Sequence, residues 1–271
     1  MKKQSIIIGL ITYFVLLVSV AVAQNEFTVP LTDPSKRGKI KAHLNSGSVT
    51  IKGTARKDVL VKYKSEDDDE DDDNERNKSK DGLKRVSGGG MDLEASENGN
   101  TVVVKSSSWN NKVDLEIEVP MGFDVAASTY NDGDLMITNI QGEVALTNYN
   151  GEITALNISG SVVATTYNGE IKVTFDKVTE DTPMSYHTYN GDVDITFPAA
   201  VKASCKMKTE QGEIFTGFDM SVTSTGPKQT KDNKSNTFRV VIDDWKKGDI
   251  NGGGSEITMK TNNGDIYIRK K

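Results

Sequence analysis

The 271-residue sequence predicts an all-β protein, built as a single β-solenoid of roughly 18–22-residue coils. Three observations predict it. Glycines recur at a fixed interval through the middle of the chain, the residues after each glycine alternate between apolar and polar, and nothing beyond residue 23 carries convincing helical periodicity. Hydrophobic residues make up only 35% of the chain, which suits a long, narrow core. The same spacing also fits an antiparallel β-meander or sandwich, because Asn-Gly between alternating runs is a strong hairpin signal.

Residues 1–23 have Lys2 and Lys3 ahead of an almost wholly apolar run from Ile6 to Val22, and end in Ala21-Val22-Ala23. This is the pattern of a secretory signal peptide cleaved before Gln24. No cysteine follows that site to carry a lipid anchor, and no later segment is apolar enough to span a bilayer. Residues 24–38, with Pro30, Pro34 and Gly38, are expected to be an extended lead-in. The strand-repeat domain is expected over 39–271. Its first strands read Lys39–Ala42, Val49–Ile51 and Val59–Tyr63. A disordered acidic loop is expected at 64–82, where Glu66 to Asp73 is an unbroken run of acids with nothing apolar to bury. Asn98-Gly99 marks a hairpin turn before the strand Thr101–Val104, and Val113–Val119 alternates as a half-buried strand should.

Gly133, Gly142, Gly151, Gly160 and Gly169 are each nine residues apart. Two flavours alternate: Tyr-Asn-Gly-Glu at 149–152 and 167–170, and Ile-x-Gly at 140–142 and 158–160. One repeat unit therefore holds two short strands. It recurs more loosely at Tyr189–Asp192, Gln211–Glu213 and Asn263–Asp265, while Tyr130–Gly133 carries one inserted residue. Two places after the glycines stand Leu135, Val144, Ile153, Val162, Ile171, Val193, Ile214 and Ile266. Four places after them stand Ile137, Leu146, Ala155, Ala164, Val173, Ile195, Thr216 and Ile268. Both sets share a strand face and are expected to point inward. Stacked coils would continue that thin core and pair each backbone with the coil above and below.

Composition removes several function classes. There are 33 Lys+Arg and 39 Asp+Glu, a net charge of -6, or -8 without Lys2 and Lys3, so a general nucleic-acid binder is not expected. Cys205, His43 and His187 are the only thiol and imidazoles, which excludes a disulfide framework, a Cys-rich zinc site and a c-type haem within one chain. Cys205 alternates in phase with Val201, Ala203 and Met207 and reads as a buried, inert thiol, with His187 a rim or ladder residue. Gly252-Gly253-Gly254 lacks the following lysine and hydroxyl of a phosphate loop and reads as a tight corner. The sequence assigns no catalytic residue, no cofactor and no metal ligand. The acids after the glycines, Asp134, Glu143, Glu152, Glu170, Asp192, Glu213 and Asp265, are more informative. Stacking every second unit would align Asp134, Glu152, Glu170 and Asp192, with a like-charge repulsion to be offset by lysines, splayed rotamers or divalent cations. Tyr149, Tyr167 and Tyr189 would align beside them, as a stacked ladder or a carbohydrate-facing strip.

The run VDLEIEVPMGFDVAASTYNDGDLMITNIQGEVALTNYNGEI, from Val113, resembles the bacterial β-strand-repeat family labelled "putative adhesin", in which a strand ending in Val-Pro-x-Gly precedes serial Asn-Gly-Asp/Glu-Ile units. Residues 250–270, INGGGSEITMKTNNGDIYIRK, are similar to the ends of such proteins from Bacteroidetes-type bacteria. The resemblance covers roughly residues 40–271 and carries no catalytic motif. It implies an exported β-helical envelope protein. The functional expectation is a non-enzymatic scaffold or adhesive surface in the periplasm, on the outer cell surface or secreted, with envelope glycans or surface proteins as partners. Two alternatives remain: a polysaccharide-acting β-helix enzyme, which would need carboxylates converging in a groove, and an envelope-stress or signalling component that binds another protein.

Overall fold

A computed structural model describes residues 25–65, 92–109, 111–224, 228–232, 237–241 and 244–271. The expected signal segment lies outside the described residues, as do 66–82 of the expected acidic loop. Among the described residues all regular structure is β, and no helix is long and apolar enough to cross a membrane.

Alternating side chains give most of the strands one apolar face, and those strands bury it in two ladders. The first ladder runs, in spatial order, β1 (Glu26–Val29), β4 (Val59–Ser65), β7 (Val113–Pro120), β3 (Val49–Thr54), β9 (Leu135–Thr138), β11 (Ile153–Thr165), β12 (Ile171–Val178), β14 (Val193–Phe197), β22 (Ile266–Lys270) and β16 (Ile214–Thr216). The second runs β5 (Glu94–Asn98), β6 (Thr101–Ser106), β2 (Lys39–Leu44), β8 (Asp124–Thr129), β10 (Glu143–Asn148), β11 again, β13 (Met184–His187), β21 (Ser255–Lys260), β15 (Ala203–Lys208), β20 (Lys246–Ile250) and β17 (Thr223–Ser224). β11 belongs to both, crossing between them at a register shift near Asn157, whose φ is 57°. The ladders thus form one 20-stranded mixed sheet, nearly closed on itself like a barrel. β18 (Lys228–Asp232) and β19 (Thr237–Val241) pair separately as an antiparallel hairpin.

Within the glycine repeats neighbouring units do not form hairpins. They pair in parallel: Leu135 lies beside Ile153, Ile153 beside Ile171, and Ile171 beside Val193. Antiparallel pairs are confined to the ends of the stack, where β1–β4–β7, β5–β6, and β15–β20–β17 close it. Asn98 pairs with Thr101 across the two-residue turn Gly99-Asn100, both at positive φ as a type I′ turn demands. The lead-in contains β1, and β4 continues through Lys64 and Ser65, the first two residues of the expected loop.

Spatial order departs from sequence order twice. The coil formed by β2 and β3, residues 39–54, lies between the β6–β7 coil and the β8–β9 coil. The coil formed by β21 and β22, residues 255–270, lies between the β13–β14 coil and the β15–β16 coil. Simple consecutive stacking does not hold at these two places.

The inward columns are as the alternation requires. Ile153, Ile171, Val193 and Ile266 are fully buried, as are Ile137, Ala155, Val173 and Ile195, while Lys172 is exposed. Burying each Val, Leu or Ile contributes about 1.5–3 kcal/mol. Ile140, Ile158, Phe175 and Phe197 fill the corner of the core, with the two phenyl rings stacked at 5.3 Å. Thr216 is exposed and Ile214 only half-buried, because β16 ends the first ladder and no further strand covers it.

Candidate functional site

The Tyr-Asn-Gly-acid motif falls at one corner of the stack, where each position meets its counterpart in the next coil. Glycine comes first. Gly47, Gly133, Gly151, Gly169, Gly191, Gly264 and Gly212 follow one another along the corner, each so close to its neighbour that there is no room for a Cβ. At Gly169, with φ of 152°, a Cβ would stand 2.1 Å from the carbonyl oxygen of Gly151. The carbonyls in this column are held from inside. Thr129 Oγ1 donates to Gly47 O at 2.7 Å, Thr166 to Gly151 at 3.0 Å, Thr188 to Gly169 at 2.9 Å and Thr261 to Gly191 at 2.8 Å. In the same role Asn148 Nδ2 donates to Gly133 O at 2.9 Å.

The motif asparagines form an amide ladder. Asn150 Nδ2 donates to Asn131 Oδ1 (3.1 Å), Asn168 to Asn150 (2.7 Å), Asn190 to Asn168 (2.6 Å) and Asn263 to Asn190 (2.6 Å). Side-chain amides stacked this way also occur in cross-β assemblies. The inserted residue in Tyr130–Gly133 does not break the column. Asp132 takes it up at φ 54°, leaving Asn131 and Tyr130 in line.

The tyrosines form the outer edge. Tyr130, Tyr149, Tyr167 and Tyr189 stack nearly parallel, with centroids 4.6, 5.1 and 4.9 Å apart, and Trp109 packs edge-on against Tyr130 at 5.4 Å. Each tyrosine is about 40% exposed. Because the ring faces cover one another, the strip presents ring edges and hydroxyls to solvent. A platform of open ring faces for sugar is not what this geometry offers.

The acids also align, and the column is longer than the repeats alone indicate: Asp134, Glu152, Glu170 and Asp192 are followed by Asp265 and then Glu213. Where the acid is aspartate, its carboxylate reaches the backbone of the next coil. Asp134 Oδ1 accepts from the N–H of Glu152, Asp192 from that of Asp265, and Asp265 from that of Glu213, each at 2.8 Å. These bonds offset part of the like-charge repulsion. Glu170, half-buried, has no such bond. Burial pushes its carboxyl above the ordinary range and the neighbouring Asp194, Glu152 and Asp192 push it further, against the pull of Lys172.

Cys205 and His187 do not come together as nucleophile and base. Cys205 points into the core on β15 beside Ala203 and Met207, and burial pushes its thiol up to about 12, with Asp249 adding to the shift. His187 stands on the outer face of β13, where partial burial and then Lys260 lower its pKa. Gly252 and Gly253, at φ 88° and 85°, make the tight corner between β20 and β21. A cavity of about 410 Å³ opens beside that corner, with Met184, Val201 and Pro198 among its lining residues. Among the described residues no group of three or more His, Cys, Asp or Glu is placed to hold a metal ion.

Sequence reasoning found the acid and tyrosine columns but missed two of the roles. The amide ladder was present in the recurring Asn before Gly, which reads equally well as turn chemistry. The carbonyl-holding Thr or Asn stands three residues before glycine at 148, 166, 188, 209 and 261. That regularity was there to be seen.

Such a corner defines a class: all-β proteins stacked through repeated side-chain columns, with the motif residues committed to contacts between coils. The chain belongs to the Toastrack DUF4097 family, whose model matches residues 127–269, more than half of the sequence. Two solved structures are similar. One is described as a "putative cell adhesion protein" from Clostridium sporogenes, 12% identical, with 92% of this chain and 100% of that chain covered and a TM-score of 0.42. The other is described as a "putative adhesin" from Bacteroides fragilis, 10% identical, with 91% and 96% covered and a TM-score of 0.36. No curated protein matches the chain.

Proposed function

We propose that this protein is an exported, non-enzymatic component of the cell envelope, a rigid β-solenoid rod that acts as a scaffold or adhesive surface. The observation that carries this reading is the use made of the motif. Its glycine, asparagine, threonine and aspartate groups are engaged by the neighbouring coil, so what the repeat supplies is stiffness and a regular outer strip. The acids run along the rod and do not converge, whereas glycoside hydrolysis calls for a facing pair. The thiol is buried and held protonated. An envelope glycan or surface protein would meet the edges and hydroxyls of the tyrosine strip; nucleic acid is not a partner of so acidic a chain.

The test is a binding screen of residues 24–271 against envelope polysaccharides and surface proteins, with turnover of each polysaccharide measured in parallel. Saturable binding that Tyr149→Ser and Tyr167→Ser weaken, without cleavage, is the expected result. Catalytic shortening of any polysaccharide would overturn the non-enzymatic reading.

A further inference from the structure

Six asparagines stand directly before a glycine: Asn98, Asn150, Asn168, Asn190, Asn251 and Asn263. This dipeptide is chemically labile in water, because glycine has no side chain to obstruct its own amide nitrogen. That nitrogen loses its proton to solvent base and attacks the asparagine Cγ. The Cγ–Nδ2 bond breaks, ammonia leaves and a five-membered imide remains. One water then opens the imide at either carbonyl, giving aspartate or isoaspartate. The net change is asparagine plus water to acid plus ammonia, with no oxidant or reductant. Two groups must be free for it to start: the glycine N–H and the asparagine side chain.

In the ladder neither is free. The N–H of Gly151 donates to Asn168 O at 2.7 Å, that of Gly169 to Asn190 O at 2.8 Å, and that of Gly191 to Asn263 O at 2.9 Å. The amides of Asn150, Asn168 and Asn190 each donate to the preceding rung and accept from the next. Asn251 is held differently, its Nδ2 donating to the carbonyls of Ala199 and Val201 at 3.0 and 2.7 Å. Asn263, the last rung, keeps its bond to Asn190. Asn98 has none of this. It is exposed, and among the described residues no hydrogen bond engages its side chain or the N–H of Gly99, itself exposed and with nothing within 4 Å of where a Cβ would stand.

We infer that Asn98 is a site of spontaneous deamidation in the folded protein, and that the amide ladder shields Asn150, Asn168 and Asn190 from the same reaction. The inference is independent of the proposed function. The site matters to the end of the stack. Asn98 closes the turn between β5 and β6, where the Glu97 carboxylate holds the N–H of Asn100 at 2.8 Å and the hydroxyl of Thr32 at 2.9 Å. Isoaspartate at position 98 would lengthen the backbone of that turn by one carbon and place a new negative charge beside Glu97.

The experiment is peptide mapping by mass spectrometry of the full chain aged at mildly alkaline pH, once folded and once in urea. A hydrogen bond that must open first slows the reaction about fivefold, so three slow it about 100-fold. The expected result is conversion at Asn98 within about tenfold of its unfolded rate, with the three ladder asparagines about 100-fold slower than in urea. Folded Asn98 as slow as the ladder positions would overturn the site. Ladder asparagines converting at their unfolded rates would overturn the shield.

Discussion

Gly169 and Gly122 are the same residue type with opposite tolerances, and the difference lies in what surrounds the missing Cβ. At Gly169 it would meet the Gly151 carbonyl at 2.1 Å, whereas at Gly122 nothing lies within 4 Å. Gly169→Ala is therefore expected to cost about 2–4 kcal/mol, from strain at a constrained backbone and a forced shift of the neighbouring coil. Gly122→Ala should stay within about 0.5 kcal/mol. Denaturant midpoints at unchanged m-value check both. Glu170 gives a prediction in pH. Its carboxyl is raised above the ordinary 4.5 in the folded protein, first by burial and then by neighbouring acids. A raised acid contributes stability that is fully present below the unfolded value and lost as pH rises through the folded one. Glu170→Gln is thus expected to raise the melting temperature at pH 7, and the gain should vanish below about pH 4. An equal gain at both pH values would mean the charge is not the cause.

At the scale of a strand, register decides which side chain is buried. Ile171→Ala should cost about 2–5 kcal/mol through lost transfer energy and the cavity left behind. Lys172→Ala, one residue along on the outer face, should change stability by no more than about 0.5 kcal/mol. Equal losses in urea melts would refute the register of β12. Much of this level was legible in the chain. The inward residues follow from alternation after glycine, and Cys205 was correctly placed in the core by its phase with Ala203 and Met207. The hairpin before β6 was legible too, but its two turn residues are Gly99 and Asn100, one place along from the Asn98-Gly99 pair that marks it in the sequence. Thr216 was misjudged because alternation records which face a residue is on and not whether another coil covers it. The carbonyl-holding threonines are not legible for a related reason. A threonine in a strand satisfies β propensity by itself, so its second role depends on a neighbour that strand periodicity does not identify.

For the whole molecule, order was the least legible feature. Asn263-Gly264-Asp265 carries the same motif as Tyr189–Asp192, and a parallel ladder forms as well between distant segments as near ones. Closing the longer loop costs only slightly more, since that cost grows with the logarithm of length. Nothing local distinguishes coil 255–270 as a neighbour of 184–197 from one that follows 203–216. The insertion has a measurable effect. In a consecutive repeat protein, removing an outer repeat leaves the others folded, because each contacts only its neighbours. Deleting residues 255–271 here would separate β14 from β16 and β13 from β15. The expected outcome is loss of the cooperative thermal transition. A retained cooperative transition, with an m-value reduced only in proportion to the residues removed, would show that the stack can close without that coil. The other inserted coil carries a cost in time. Its strands end at Thr54, but the flank it needs on one side is not complete until β9 ends at Thr138. At the roughly 5–20 residues per second of ribosomal synthesis, the 84 residues between them take about 4–17 s to appear. Until β6 and β7 end at Ser106 and Pro120, β2 and β3 lack both of their partner strands, and the second flank follows only with β8 and β9, so any chaperone that attends this chain has its work set by that delay.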